Sequence, residues 1–216
     1  FLIFKTHDDF PYYHFPYTNY LTTSEIIVGV GNYDPSWRYP SSIFYFNSLF
    51  YLPVIKYFLY HIGALLIMGF SLVTICLKLL EKYNLKKYDQ LFFYNLLSLS
   101  FILVFFYRLA EHGTDRSGMI IIFIMLVVLF LIIFGKKNKI DNFYENKNYF
   151  KILSIFSVVL MSLKPLYIIY LPLILVLFTL KEFRLNFNNL IFTRSTIYSA
   201  SILIFVFFFT WLNSGC

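Results

Sequence analysis

Apolar residues run along this chain in long blocks rather than in alternation. Five blocks read as membrane-crossing helices, each of which needs about 20 mostly apolar residues. They cover 54–80, 91–107, 119–135, 149–180 and 197–212. The second is short but uncharged, and the third has nothing more polar than Met between Met119 and Phe134. No segment alternates polar and apolar residues as a barrel strand would. The pattern predicts an all-α fold, a polytopic transmembrane helical bundle forming a single transmembrane domain over 1–216.

The fourth block carries Lys164-Pro165 at its middle. Proline has no N–H and clashes with the preceding turn, so the helix breaks or kinks there. The two arms, 149–163 and 165–180, would each span roughly 22–24 Å at about 1.5 Å per residue, short of the roughly 30 Å hydrocarbon layer. A broken hairpin with its tip near the outer leaflet is one reading, and a single kinked, tilted span is the other. The distribution of cations favours the hairpin.

Lys and Arg collect on the cytoplasmic side of membrane proteins. Here they cluster in three segments: Lys78, Lys82, Lys86 and Lys87; Lys136, Lys137, Lys139, Lys147 and Lys151; and Lys181, Arg184 and Arg194. Two spans separate the first two groups, which puts them on one side. The third shares that side only if 149–180 goes in and comes back. Netted against their acids, these segments hold the whole excess of +7. The opposite side then carries a long polar segment, 5–53, and a short one, 108–118. The chain opens on Phe1-Leu2-Ile3-Phe4 without a charged leader, and it stops soon after Trp211. It therefore reads as an internal fragment of a longer membrane protein, with the outer loop following a first helix that is mostly missing.

Composition agrees. Hydrophobic residues are 59% of the chain against roughly 45–50% in soluble domains. Charged residues are 13%, about half the usual quarter. Such a chain cannot cover a soluble surface. With the basic excess explained by topology, nucleic acid is not an expected partner. Cys76 and Cys216 imply no disulfide framework.

Candidate chemistry lies in three places. The outer segment opens Lys5-Thr6-His7-Asp8-Asp9-Phe10-Pro11-Tyr12-Tyr13-His14. Adjacent carboxylates at a membrane surface can serve as a general base, and His7 and His14 could tune them or bind a ligand. His-Asp-Asp lacks a metal-binding spacing, so no metal and no cofactor is expected. The short segment holds Arg108, Glu111, His112, Asp115 and Arg116, five ionisable groups in nine residues. Gly113 and Gly118 permit a tight turn there, and Thr114 or Asp115 can cap the next helix. Lys164 is the third feature, since a cation inside an apolar stretch is usually paired or functional.

The order of these pieces resembles the GT-C-type membrane glycosyltransferases, the superfamily of protein mannosyltransferases and lipid A aminoarabinose transferase. Those enzymes have an outer loop after the first helix that opens with Asp-Glu, where this chain has Asp8-Asp9. Arg38-Tyr39-Pro40-Ser41-Ser42-Ile43-Phe44-Tyr45-Phe46 looks like their turn into an aromatic helix, with its His-Pro-Pro only partly kept. Asp115 before 119–134 matches their second Asp, and Leu163-Lys164-Pro165 with Leu171-Pro172-Leu173 matches their apolar hairpin.

The resemblance implies a sugar transferred from a polyprenyl-phosphate-linked donor, with Asp8 as the base and Asp9 and Asp115 assisting. By charge and position, Arg108, Arg116 and Lys164 would hold the donor phosphate, with His7, Glu111 and His112 lining the site. The expected setting is the bacterial inner membrane with the active face periplasmic, the membrane lipid and the donor being the partners. A non-catalytic transporter or flippase of lipid-linked saccharides is the alternative. A polymerase or ligase of O-antigen type fits less well, because its larger outer loop comes late in the chain.

Overall fold

The computed structural model describes residues 9–106, 114–134, 141–179, 184, 188 and 193–215. Among the described residues the chain is all-α. The one extended pairing there is an isolated bridge between Leu52 and Lys56.

Over its described residues, 9–53, the outer segment is not the solvated loop that its Asn, Ser and Thr content suggests. A π-helical turn, Phe10–His14, runs directly into α1 (Phe15–Thr23), and α2 (Ser42–Ser48) follows. The Ser41 hydroxyl caps α2 by accepting from the Ile43 N–H at 3.4 Å. The driving force is burial of large side chains. Tyr17, Ile43 and Phe44 are at most 1% exposed and share one core with residues of the long helices. Fully burying such a side chain stabilises by roughly 1.5–3 kcal/mol.

Among the described residues five longer helices and one short one follow: α3 (Ile62–Asn84), α4 (Gln90–Phe105), α5 (Thr114–Phe134), α6 (Asp141–Leu163), α7 (Leu171–Leu175) and α8 (Arg194–Ser214). Three helical stretches among the described residues are long and apolar enough to cross a membrane: Tyr57–Asn84, Thr114–Ile133 and Arg194–Ser214. Local chemistry sets their ends. Asp89 caps α4 by accepting from the Phe92 N–H at 3.0 Å. Thr193 caps α8, and Gly215 ends it with φ +72°, a backbone that glycine adopts without strain.

Three boundaries differ from the sequence pattern. The α3 helix starts at Ile62 rather than Val54, because Pro53 opens a tight turn before it. The α5 helix starts at Thr114, so Asp115 lies in its first turn and Gly118 lies inside the helix rather than in a loop. A carboxylate suits that position, where the helix dipole is positive. The α6 helix begins at Asp141, ahead of its apolar part.

Helix α6 ends where Pro165 removes the next N–H. Lys164 is extended (φ −157°, ψ 124°), and a 3-10 run, Pro165–Tyr170, carries the chain into α7. The chain reverses at this point. The ring of Phe178 lies 6.1 Å from that of Phe150, and Tyr167, Ile174 and Leu177 join the same core as Leu153, Leu160 and Leu163.

The α5 helix is the centre of the assembly. Ile121, Ile122, Met125, Val128, Leu129 and Ile132 face α1, α2 and α6 in the main core. Ile120 and Ile124 meet Met68 and Ile75 of α3 and Ile102 of α4 in a second cluster. Of its apolar window 61% is buried, against 33% for α3 and 6% for α8.

Candidate functional site

The break after α6 and the first turn of α5 meet at one residue. Lys164 donates from Nζ to Oδ1 of Asp115 at 2.8 Å. Tyr167 donates from its hydroxyl to the backbone carbonyl of the same Asp115 at 3.0 Å. Both side chains come from one tight turn, in which the Tyr167 N–H bonds the Lys164 carbonyl at 3.0 Å. Pro165 favours that turn by fixing φ. The turn therefore grips Asp115 twice, at its carboxylate and at its backbone.

Gly118 makes this seat possible. A Cβ there would lie 2.2 Å from Cε2 of Tyr167, far inside van der Waals contact. The Tyr167 ring, 7% exposed, lies across the place where any other residue would project. The glycine serves close approach, and its place inside the helix shows that it is not the turn residue its sequence context suggests.

The outer segment supplies the other side of the cluster. Tyr13 is half-buried, and its pKa is pushed up to about 12. Burial is the main cause, followed by the negative charges of Asp115 and then Asp9. Both carboxylates therefore lie close enough to act on one phenol. The Tyr13 ring packs edge-on against Phe44 of α2 at 5.4 Å. Ser42 at the start of α2 shares a hydrogen bond with Ser162, two residues before Lys164, at 2.8 Å. Three distant stretches of sequence thus converge on one polar patch.

The sequence-derived candidates divide accordingly. Asp115 and Lys164 come together, and Asp9 bears on them through its charge on Tyr13. Arg116 is half-buried one position along α5 from Asp115. His7, Asp8, Arg108, Glu111 and His112 lie outside the described residues. His14 is not an exposed tuning group: it is 6% exposed, with its ring 4.4 Å from Tyr13 and 5.2 Å from Phe44. Among the described residues no three His, Cys, Asp or Glu side chains gather as a metal site would require.

Tyr13, Tyr167, Ser42 and Ser162 were not singled out by the sequence, and Gly118 was read only as a turn residue. Aromatic residues are so frequent, with 28 Phe and 19 Tyr, that no single one stands out. The spacing Lys164-Pro165-Leu166-Tyr167 carried the usable signal, since a proline-started 3-10 turn brings residues three apart onto one side.

The Lys164 and Asp115 side chains are 44% and 55% exposed. An ion pair so open to solvent contributes only about 0–1 kcal/mol to stability. It leaves a cation and a carboxylate within reach of a ligand. An incoming phosphate can take the ammonium by a charge-assisted hydrogen bond and free the carboxylate as a proton acceptor.

A family described as a domain of unknown function (DUF8201) matches residues 4–216. The chain belongs to this family. No curated protein and no solved structure matches it. The DUF8201 match runs from the outer segment through α8, so the converging stretches all lie within one family domain.

A second polar group ties α8 to the outer segment. Asn213 donates from Nδ2 to the Tyr17 hydroxyl at 2.8 Å, and Tyr17 and Tyr45 share a hydrogen bond at 2.9 Å. Beside it the Gly29 N–H donates to the Leu212 carbonyl at 2.7 Å. The Gly29-Val30-Gly31 stretch thus closes the end of α8 and has no phosphate-loop geometry, since Val30 and Gly31 lie within a 3-10 turn, Val30–Asn32. Burial pushes the Tyr17 and Tyr45 phenols up, so both stay neutral hydrogen-bonding groups.

Proposed function

We propose that this chain carries the activity of a polytopic inner-membrane glycosyltransferase of the GT-C type. It moves a sugar from a polyprenyl-phosphate donor to an acceptor at the outer, periplasmic face. The observation that carries the reading is the exposed pair of Asp115 and Lys164, brought together from different stretches of the chain, with Tyr13 of the outer segment feeling the charges of both Asp115 and Asp9. Such a pair offers a cation for a leaving phosphate beside a carboxylate for a proton, in a chain with three helices apolar enough to cross a membrane among the described residues.

In the proposed reaction the acceptor oxygen attacks the anomeric carbon. The bond from that carbon to the phosphate oxygen breaks, and its electron pair leaves with the polyprenyl phosphate. The acceptor proton passes to the Asp8 carboxylate, with Asp9 and Asp115 assisting. Lys164, with Arg108 and Arg116, stabilises the charge on the departing phosphate. His7, Glu111 and His112 belong to the same lining.

The test is transfer of labelled sugar from a polyprenyl-phosphate donor by the intact protein in vesicles. Asp8→Asn is expected to lower the rate at least 100-fold, at the lower end of general-base effects (about 10²–10⁴-fold). Equal rates would remove Asp8 as the base. Donor binding without transfer under any acceptor would instead favour a carrier of lipid-linked saccharides.

A further inference from the structure

The connection between α2 and α3 has no role in the site just described. The sequence pattern reads Val54 onward as helix, yet the chain makes a tight turn at 52–56. The Lys56 N–H returns to the Leu52 carbonyl, and Lys56 adopts φ +57°, ψ −129°, a conformation unfavourable for any residue with a side chain. The turn projects apolar groups outward. Leu49 is 75% exposed, Val54 93% and Phe58 63%, with Leu52, Ile55 and Tyr57 above 40%. Tyr57 and Phe58 stack at 4.7 Å at the start of the membrane-length stretch Tyr57–Asn84.

Two features decide what covers this surface. Irregular backbone does not sit lipid-exposed in the hydrocarbon layer, because its polar groups would be unsatisfied. A turn continuous with a spanning helix therefore belongs at headgroup depth, where Tyr and other amphipathic aromatics concentrate. Charge is the second feature. Lys56 has no ion pair among the described residues, and the sequence holds no carboxylate between Asp34 and Glu81. An exposed cation framed by apolar side chains complements an anionic headgroup above acyl chains.

We propose that the 49–58 turn is a membrane-interface anchor. It inserts Leu49, Val54, Ile55 and Phe58 into the headgroup layer of the outer leaflet and holds an anionic lipid phosphate at Lys56. It fixes the height of α2, and with it Ser42 and Phe44, relative to the bilayer. The inference does not depend on the transferase reading.

The experiment places an environment-sensitive fluorophore on Val54→Cys, in a Cys76→Ser, Cys216→Ser background, in the intact protein reconstituted in vesicles. Val54 is so exposed that labelling leaves packing intact. Nitroxides at the headgroup or high on the acyl chain are expected to quench it at least threefold more than a nitroxide deep in the chain. Iodide in the water should reach it less than a third as well as a label on Tyr33→Cys, an exposed position elsewhere in the outer segment. A spin-labelled anionic lipid should outquench its zwitterionic counterpart by about fivefold, as expected for one interfacial Lys, and Lys56→Glu should bring that ratio to about one.

Full iodide access at position 54 or strongest quenching by the deep nitroxide would each overturn the anchor. An anionic preference that survives Lys56→Glu would overturn the role of Lys56.

Discussion

Helices α5 and α8 are both 21 residues long and apolar enough to cross a membrane. They are used in opposite ways. The α5 window is 61% buried and touches both core clusters, while the α8 window is 6% buried. The α8 helix packs along α6 on one side and is tied at its end through Asn213 and the Leu212 carbonyl. Apolarity alone therefore does not distinguish a helix that organises the protein from one that leaves most of its surface exposed. The distinction lies in small and polar residues at the ends, Gly118 and Asp115 for α5 and Asn213 and Gly215 for α8.

The largest test of this contrast is in the core. Met125, 1% exposed on α5, should cost about 2–5 kcal/mol when changed to Ala, from lost transfer energy and the cavity left behind. Phe207 on α8, 57% exposed, should cost within about 0.5 kcal/mol, as exposed positions usually do. Denaturant titration in one detergent compares them. Equal losses would dissolve the distinction.

Next comes the notch. Gly118→Ala forces the Tyr167 ring off the first turn of α5 and should cost about 1–3 kcal/mol, the range for overpacked sites. Tyr167→Phe keeps the ring and loses one hydrogen bond, so it should cost about 0.5–1.5 kcal/mol. A reversal of that order in thermal melts would mean that the hydrogen bond matters more than the fit.

The end of α8 supplies a comparable test. Asn213→Ala leaves Tyr17 and Tyr45 bonded only to each other and should cost about 1–3 kcal/mol, the penalty for a buried polar group losing its partner. A loss as small as that of Phe207→Ala would show that α8 is not held at its end.

The smallest expected effect is on pH. Tyr13 titrates near 12 in the folded chain against an ordinary 10.0. The folded state holds its proton more tightly, so this contribution is fully present below pH 10 and is lost as pH rises through about 12. Across that window the parent should lose stability relative to Tyr13→Phe in alkaline unfolding profiles. Parallel profiles would exclude Tyr13 as their source.

The contrast also explains what was legible in the sequence. The apolar blocks are visible because 20-residue runs have no other common use. The break at Lys164-Pro165 is visible because proline acts through its own backbone. The outer segment misleads because its core side chains, Tyr17, Ile43 and Phe44, are spaced among polar residues by two short helices that pack on each other and on distant helices. At the site, Asp9, Asp115 and Lys164 stand out as charges in an apolar chain. Tyr13, Tyr167 and Gly118 do not, since their roles depend on contacts between residues 50 to 100 positions apart.

The central claim is that the patch at Asp115 and Lys164 works on a lipid phosphate rather than holding the fold together. The most direct measurement is steady-state sugar transfer from a polyprenyl-phosphate donor by the reconstituted intact protein, with stability measured on the same samples. For Lys164→Ala the account predicts at least a tenfold loss in kcat/KM for the donor and a stability change below about 1 kcal/mol, as befits an exposed ion pair. Unchanged transfer in Lys164→Ala, or a loss of transfer matched by unfolding, would contradict it.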